Sequence, residues 1–243
     1  SNTLLAQPEH IEIVAHDLKV VSPEGIQLVG PISFTLVSNQ ATALVGPSGA
    51  GKTSLLKILS GQLNSQGRVS WNNKALSDYD PMSLARQIAV VNQLNDSVFS
   101  LSLYQIVRMG LLPHKSLLSR QSSDDDKNIN AAIRRVGLEN KTQQTFSSLS
   151  GGEQQRIAIA RAIAKQPKVL FCDEPTGALD STTGRAVLKV LENINKELGS
   201  TVLIVTHAAN TARMADRVIH FADGGIKEVI HNSKKVSADK IEW

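Results

Sequence analysis

The chain has 243 residues, 41% of them hydrophobic and 20% charged, with a formal net charge of +4. That is ample for a buried core, and so mild a charge, with no aromatic residues interleaved among the Lys and Arg, allows nucleic-acid binding only weakly and does not indicate it, so no nucleic-acid partner is expected. No run approaches the roughly 18 apolar residues of a membrane span and no signal-peptide pattern opens the chain, so any membrane role is expected to be peripheral.

Residues 1–9 read as a tail, and Ser1-Asn2 in place of an initiator Met as a processed start; residues 10–243 read as one domain. Short β-branched runs at 11–14, 18–21, 32–37 and 41–45, punctuated by Pro, Gly, Asn and Gln, predict strands and turns. The last of these runs into a Gly-rich loop, after which residues 52–60 have helical spacing. Strands are expected at 68–71 and 88–91, with Asp80-Pro81 between them as a helix N-cap followed by Pro at the first helical position. From about 94 to 150 the pattern becomes helical, with candidate helices at 103–109 and 129–136 joined by a polar stretch. Asp124–Asp126 in that stretch reads as a solvated loop or helix start rather than a metal site. Beyond it strand and helix alternate: helix 153–164, strand 169–173, helix 182–198, strand 201–206, then 217–221, a turn at Asp223-Gly224-Gly225 and a last strand at 226–230. Such alternation implies an α/β fold around a mostly parallel sheet. The segment after His231 is expected to be loosely held. The single cysteine, Cys172, excludes an internal disulfide, suits a reducing compartment and, in an apolar run, reads as packing.

Three motifs carry chemistry. Gly46-Pro47-Ser48-Gly49-Ala50-Gly51-Lys52-Thr53 fits G-x-x-x-x-G-K-[ST] between a strand and a helix. Its glycines let backbone N–H groups converge on phosphate oxygens, Lys52 would reach the β- and γ-phosphates, and the Thr53 hydroxyl would ligate Mg²⁺. Asp173 and Glu174 end an apolar strand, where Asp173 can hold Mg²⁺ and Glu174 can serve as base toward an attacking water. Leu149-Ser150-Gly151-Gly152-Glu153 contains a capping box, a common way to begin a helix, and its two glycines also make an open anion-binding helix start.

With Gln154, Gln155 and Arg156 added, that last string, LSGGEQQR, resembles the signature of the nucleotide-binding domains of ATP-binding cassette (ABC) transporters, and the resemblance covers nearly the whole chain. Gln93 in VVNQLN resembles the family's Q-loop, Ala178-Leu179-Asp180 its D-loop and His207 in VLIVTHA its switch histidine; His10, His16, His114, His220 and His231 have no such context. The resemblance implies a P-loop NTPase with an N-terminal antiparallel β subdomain and an inserted helical subdomain. It implies ATP and Mg²⁺ as cofactors, with Gln93 sensing Mg²⁺ beside Thr53 and Asp173. It also implies a head-to-tail dimer with an identical or paralogous domain, in which Ser150, Gly151, Gly152 and Asp180 act across the seam. Glu174, His207 and Lys52 would carry hydrolysis. The expected partner is a multi-span membrane transport subunit, and the expected location is cytoplasmic, at the inner face of the membrane.

The sequence departs from the family in two ways. Residues 18–28 contain no aromatic to stack on adenine, which predicts weak base selectivity. VVSPEGIQLVGPISFTL resembles exporter halves, MGLLPHKSLL importers of siderophores or haem, and DEPTGALD with DGGI the lipoprotein- and macrolide-exporter branch. Two readings stay open on that mixture: an ATP hydrolase that drives a separate membrane partner, or a composite or engineered domain that binds nucleotide without one. DNA-associated relatives carry a long coiled coil for which the insertion is too short, and a small-molecule kinase has no use for LSGGEQQR.

Overall fold

The computed structural model describes residues 13–47, 49, 51–111 and 122–243. Its centre is a sheet of order β10-β9-β3-β8-β7-β6. In it β6 (Ile88–Val91), β7 (Val169–Asp173), β8 (Thr201–Thr206), β3 (Ala41–Val45) and β9 (Arg217–Ala222) run parallel, and β10 (Gly225–His231) returns antiparallel to β9. The strands β3 and β8 are buried at every position, as strands covered on both faces must be, which explains their largely apolar sequence, broken only by threonines. A second, antiparallel sheet of order β2-β1-β4-β5 joins β1 (Ile13–Val21), β2 (Gln27–Leu36), β4 (Gln66–Trp71) and β5 (Lys74–Ala75).

Side-chain alternation along the central strands divides the interior into two cores. Val169, Phe171, Leu203 and Val205 pack toward the antiparallel sheet and α1 (Lys52–Leu59). Leu170, Cys172, Val202 and Ile204 pack toward the helices of the other face. Those are α3 (Leu103–Met109), α4 (Ser123–Arg135), α5 (Gly151–Ile163) and α6 (Ser181–Leu198); α2 (Pro81–Gln87) leads into β6. Burial, with the Asp173 carboxylate next to it, pushes the Cys172 thiol well above its usual range, so this cysteine is a packing residue. No helix among the described residues is long and apolar enough to cross a membrane.

Several local expectations hold. Asp80 caps α2 by accepting from the Ser83 N–H, with Pro81 at its first turn. Asp124–Asp126 form the first turn of α4 behind the Ser122 cap, where carboxylates face the positive helix end. Other expectations need correction. The predicted strands at 11–14 and 18–21 belong, from Ile13 on, to the one strand β1, whose irregular register between Ala15 and Val21 breaks the apolar pattern. Residues 11 and 12, His10, His114, the 1–9 tail and most of MGLLPHKSLL lie outside the described residues. The short β5 was not foreseen, since a strand of two residues, Lys74 and Ala75, leaves no periodic signal.

The segment after His231 is not loosely held. Ala238 and Ile241 are 0% and 2% exposed. Asn232 donates to the carbonyls of Ala212 and Ala215, and Ala238 N–H donates to a carboxylate oxygen of Glu192 on α6. Too few apolar residues lie in this stretch to signal its docking locally; the partners that bury it are remote in sequence.

Candidate nucleotide site

The site is assembled where three adjacent parallel strands end at one level. Val45 of β3 pairs with Thr206 of β8, and Val205 of β8 pairs with Asp173 of β7. The Gly-rich loop, the Thr206-His207 pair and the Asp173-Glu174 pair therefore emerge side by side. The Gly46 N–H donates to the Thr206 carbonyl at 3.2 Å, tying the first two together.

The loop returns into α1 through Gly51, at φ 87°, where a Cβ would lie only 3.1 Å from Val29 Cγ2. Only glycine fits that close approach in the left-handed region. The next residue, Lys52, is buried to 5% exposure; its ammonium donates to the Gly46 carbonyl and lies 3.5 Å from Glu174 Oε1. A buried ammonium held this way is a cation already desolvated and aimed into the loop. Thr53 Oγ1 donates to Asp173 Oδ2 at 2.7 Å. Ser48 and Ala50 lie outside the described residues, whereas Gly46, Pro47 and Gly49 belong to the described loop.

Glu174 follows β7 in the left-handed region at φ 47°, a conformation that costs a non-glycine residue on the order of 1 kcal/mol and needs compensation. That compensation is visible. Its N–H donates to the Val205 carbonyl at 2.7 Å, and its carboxylate accepts from Thr206 Oγ1 at 3.2 Å and from the His207 N–H at 2.9 Å. His207 Nδ1 lies 2.8 Å from the same carboxylate. Thr206 was not anticipated from sequence, although it directly precedes His207. It acts twice, since its hydroxyl also accepts from the Ala208 N–H at 3.0 Å.

Lys52, Thr53, Asp173 and Glu174 line one cavity of about 700 Å³, together with Gln93 and Leu28, while Thr206 and His207 hold Glu174 from outside that lining. Its size is that of a site for a nucleotide-sized ligand. Thr53, Asp173 and Gln93 present a hydroxyl, a carboxylate and a side-chain amide, hard oxygen donors that fit Mg²⁺.

The signature helix stands apart. Among the described residues Ser150, Gly151, Gly152 and Asp180 do not line that cavity. Ser150 caps α5, with its Oγ accepting from the Glu153 N–H at 3.3 Å and its own N–H donating to Glu153 Oε1 at 3.0 Å. The Gly151 and Gly152 N–H groups remain at the open helix end. Gln154 Nε2 and Arg156 Nη1 donate to the Phe146 and Val136 carbonyls at 3.2 and 2.8 Å, bracing α5 against the helical insertion. Asp180 caps α6, where the Thr183 hydroxyl, donating at 2.6 Å, and then the Thr183 N–H, donating at 2.8 Å, hold its carboxyl below the usual carboxylate range.

A family model described as "ABC transporter" matches residues 29–177. The chain belongs to the ABC transporter family. It is an ATP-binding subunit of that family and an ATPase. Among its relatives, the "Uncharacterized ABC transporter ATP-binding protein YvrA" of Bacillus subtilis is 36% identical over 77% of this chain, which spans only 43% of that protein. The "Lipoprotein-releasing system ATP-binding protein LolD" of Syntrophotalea carbinolica is also 36% identical, over 83% of this chain and 89% of its own length. The solved dimeric structure of MJ0796, "a Bacterial ABC Transporter Cassette", has a TM-score of 0.77 at 29% identity, covering 91% of this chain and 99% of that one. In this ABC chain the antiparallel sheet, the mostly parallel sheet and the inserted helices are all present as the resemblance implied.

The Lys141 ammonium, hydrogen-bonded to Glu153, acts first and the Ser150 N–H second to hold the Glu153 carboxyl at about 2, against an ordinary 4.5. A depressed folded-state value means that the unfolded chain binds the proton more tightly. Glu153 therefore stabilises the fold fully above 4.5, and that contribution is lost as pH falls through about 2. Denaturant midpoints measured across this window should fall more steeply for the wild type than for Glu153→Gln; parallel profiles would contradict the pairing.

Proposed function

We propose that two ATP-binding domains of this type, identical or paralogous, pack head to tail, so that each ATP lies between the P-loop of one and Ser150, Gly151 and Gly152 of the other. The observation that carries this reading is the division of the site. The cavity gathers Lys52, Thr53, Gln93, Asp173 and Glu174, while α5 offers its anion-ready N-terminus elsewhere on the surface. A second copy supplies the missing wall.

In that arrangement Lys52 exchanges the Gly46 carbonyl for phosphate oxygens. Thr53, Asp173 and Gln93 would hold Mg²⁺, which when bound supplies positive charge to offset that of the phosphates. Glu174 orients the attacking water and accepts its proton, while Thr206 and His207 keep the carboxylate in place. The Gly151 and Gly152 N–H groups donate to the terminal phosphate across the seam, and Asp180, at the start of α6, relays the state of one site to the other. Hydrolysis removes the charge that joins the halves, and they separate.

The load is a multi-span membrane subunit, with the chain on the cytoplasmic face of the membrane. We place that contact at a groove of about 630 Å³ lined by Leu63, Tyr79, Leu84 and Lys165, which continues past Lys165 toward Met109 and Arg161 of the helical side. It bridges the sheet and the insertion, so a segment seated there would feel one move against the other. Burial lowers Lys165 to about 8, and its ammonium donates to the Ala85 and Ile88 carbonyls beneath the groove.

Two measurements test the site. Glu174→Gln should lower the ATP turnover number by about 10²-fold or more while trapping an ATP-bound dimer on size exclusion. Undiminished hydrolysis would refute the role given to Glu174. None of the described residues lining the cavity is aromatic, and residues 18–28 contain no aromatic, so GTP should displace a bound adenine nucleotide within about tenfold of ATP. A strong preference for ATP would contradict base recognition by apolar contact alone.

A further inference from the structure

Residues 232–243 join the two parts of the molecule that the ATPase cycle must keep in step. At one end, Asn232 Nδ2 donates to the carbonyls of Ala212 and Ala215 at 3.1 and 2.8 Å, and the Val236 N–H donates to the Arg213 carbonyl at 2.9 Å. Those acceptors belong to, or directly follow, the 3-10 segment Ala209–Met214, which begins two residues after His207. Further along, the Ala238 N–H donates to Glu192 Oε2 on α6 at 3.0 Å. Finally the Trp243 ring lies against Gly184, where a Cβ would come within 2.2 Å of it. Gly184 is in the first turn of α6, next to Thr183, which packs on Gly152 and hydrogen-bonds the Asp180 cap.

The anchor at Glu192 is informative because packing alone does not require it. A carboxylate only 8% exposed must be paired to be tolerated, and an apolar residue would fill the space without that demand. Lys189 Nζ at 3.1 Å and Lys196 Nζ at 3.7 Å satisfy Oε1, leaving Oε2 to fix the Ala238 N–H in one register. Asp239 on the same segment pairs with Lys189 at 3.2 Å. The segment is thus located by directional bonds from Asn232 to Asp239 and by the packing of Trp243 on Gly184, as a strap that sets a distance is.

We infer that residues 232–243 are a positioning strap for hydrolysis. The strap holds the segment after His207, and with it the hold of His207 on Glu174, against the first turn of α6, which carries Asp180 and meets the signature glycine. This rests on the assignment of Glu174 and His207 to hydrolysis. The strap residues do not line the nucleotide cavity, so it positions the hydrolytic clasp without binding ATP.

The test compares full-length variants by turnover number and by the affinity of a fluorescent ATP analogue. Glu192→Leu and Trp243→Ala should each lower the turnover number by about tenfold. Both should leave analogue affinity within about twofold of wild type. Glu192→Gln, which keeps an acceptor for the Ala238 N–H, should retain most of the activity. If Glu192→Leu does not fold, Trp243→Ala carries the test alone, because Trp243 is 51% exposed and lies outside the buried core. Wild-type turnover in Trp243→Ala would overturn the proposal, as would turnover and affinity falling together with melting temperature. Undiminished hydrolysis by Glu174→Gln would instead remove the assignment on which the strap depends.

Discussion

The structure depends on the shared level at which β3, β8 and β7 end. These strands are parallel, adjacent and buried, so their register is held by packing on both faces and by every ladder hydrogen bond between them. Because side chains alternate along a strand, a slip of one residue would exchange the Val169 and Phe171 face of β7 for the Leu170 and Cys172 face and misplace Asp173 and Glu174. The phosphate loop, the two carboxylates and the histidine converge because the sheet brings their strands out together. No local sequence element does this alone.

Electrostatics then sharpen what the sheet positions. Lys52 is kept as a buried cation by the Gly46 carbonyl and Glu174, groups that phosphate oxygens can replace. The Glu174 backbone is held in the left-handed region by its bond to Val205, and its carboxylate is locked by Thr206 and His207. The start of α5, which we propose as the second anion site, is built independently of the nucleotide cavity. Its geometry comes from the Ser150–Glu153 capping box, its acid is neutralised by Lys141, and its helix is braced by Gln154 and Arg156. Separate fixation of the two sites suits a machine that brings them together and parts them.

Much of this was legible in the residue pattern, and the failures have a common cause. Largely apolar runs announced β3, β7 and β8, and GPSGAGKT with the Asp173-Glu174 pair announced groups that the fold gathers at one cavity, because each is local in sequence. Thr206 escaped notice since its partner, Glu174, lies 32 residues away. Lys141, which binds Glu153, sits in a 3-10 turn with no periodicity of its own. The docking of residues 232–243 depends on Glu192, Gly184 and Ala212, distant positions whose meaning appears only once α6 and the segment after His207 are in place. The irregular register of β1 hid one strand as two for a similar reason: the pairing with β2 and β4 carries it through Asp17.

The central claim is that each ATPase site is made from two chains, and subunit mixing tests it most directly. Lys52→Ala should disable the P-loop and Ser150→Arg the signature, leaving each variant inactive by itself. A mixed dimer would contain one site built from the intact P-loop of the Ser150→Arg chain and the intact signature of the Lys52→Ala chain. The account predicts that mixing the two inactive proteins restores ATP hydrolysis. Hydrolysis by Ser150→Arg alone, or none from the mixture despite heterodimer formation, would contradict it.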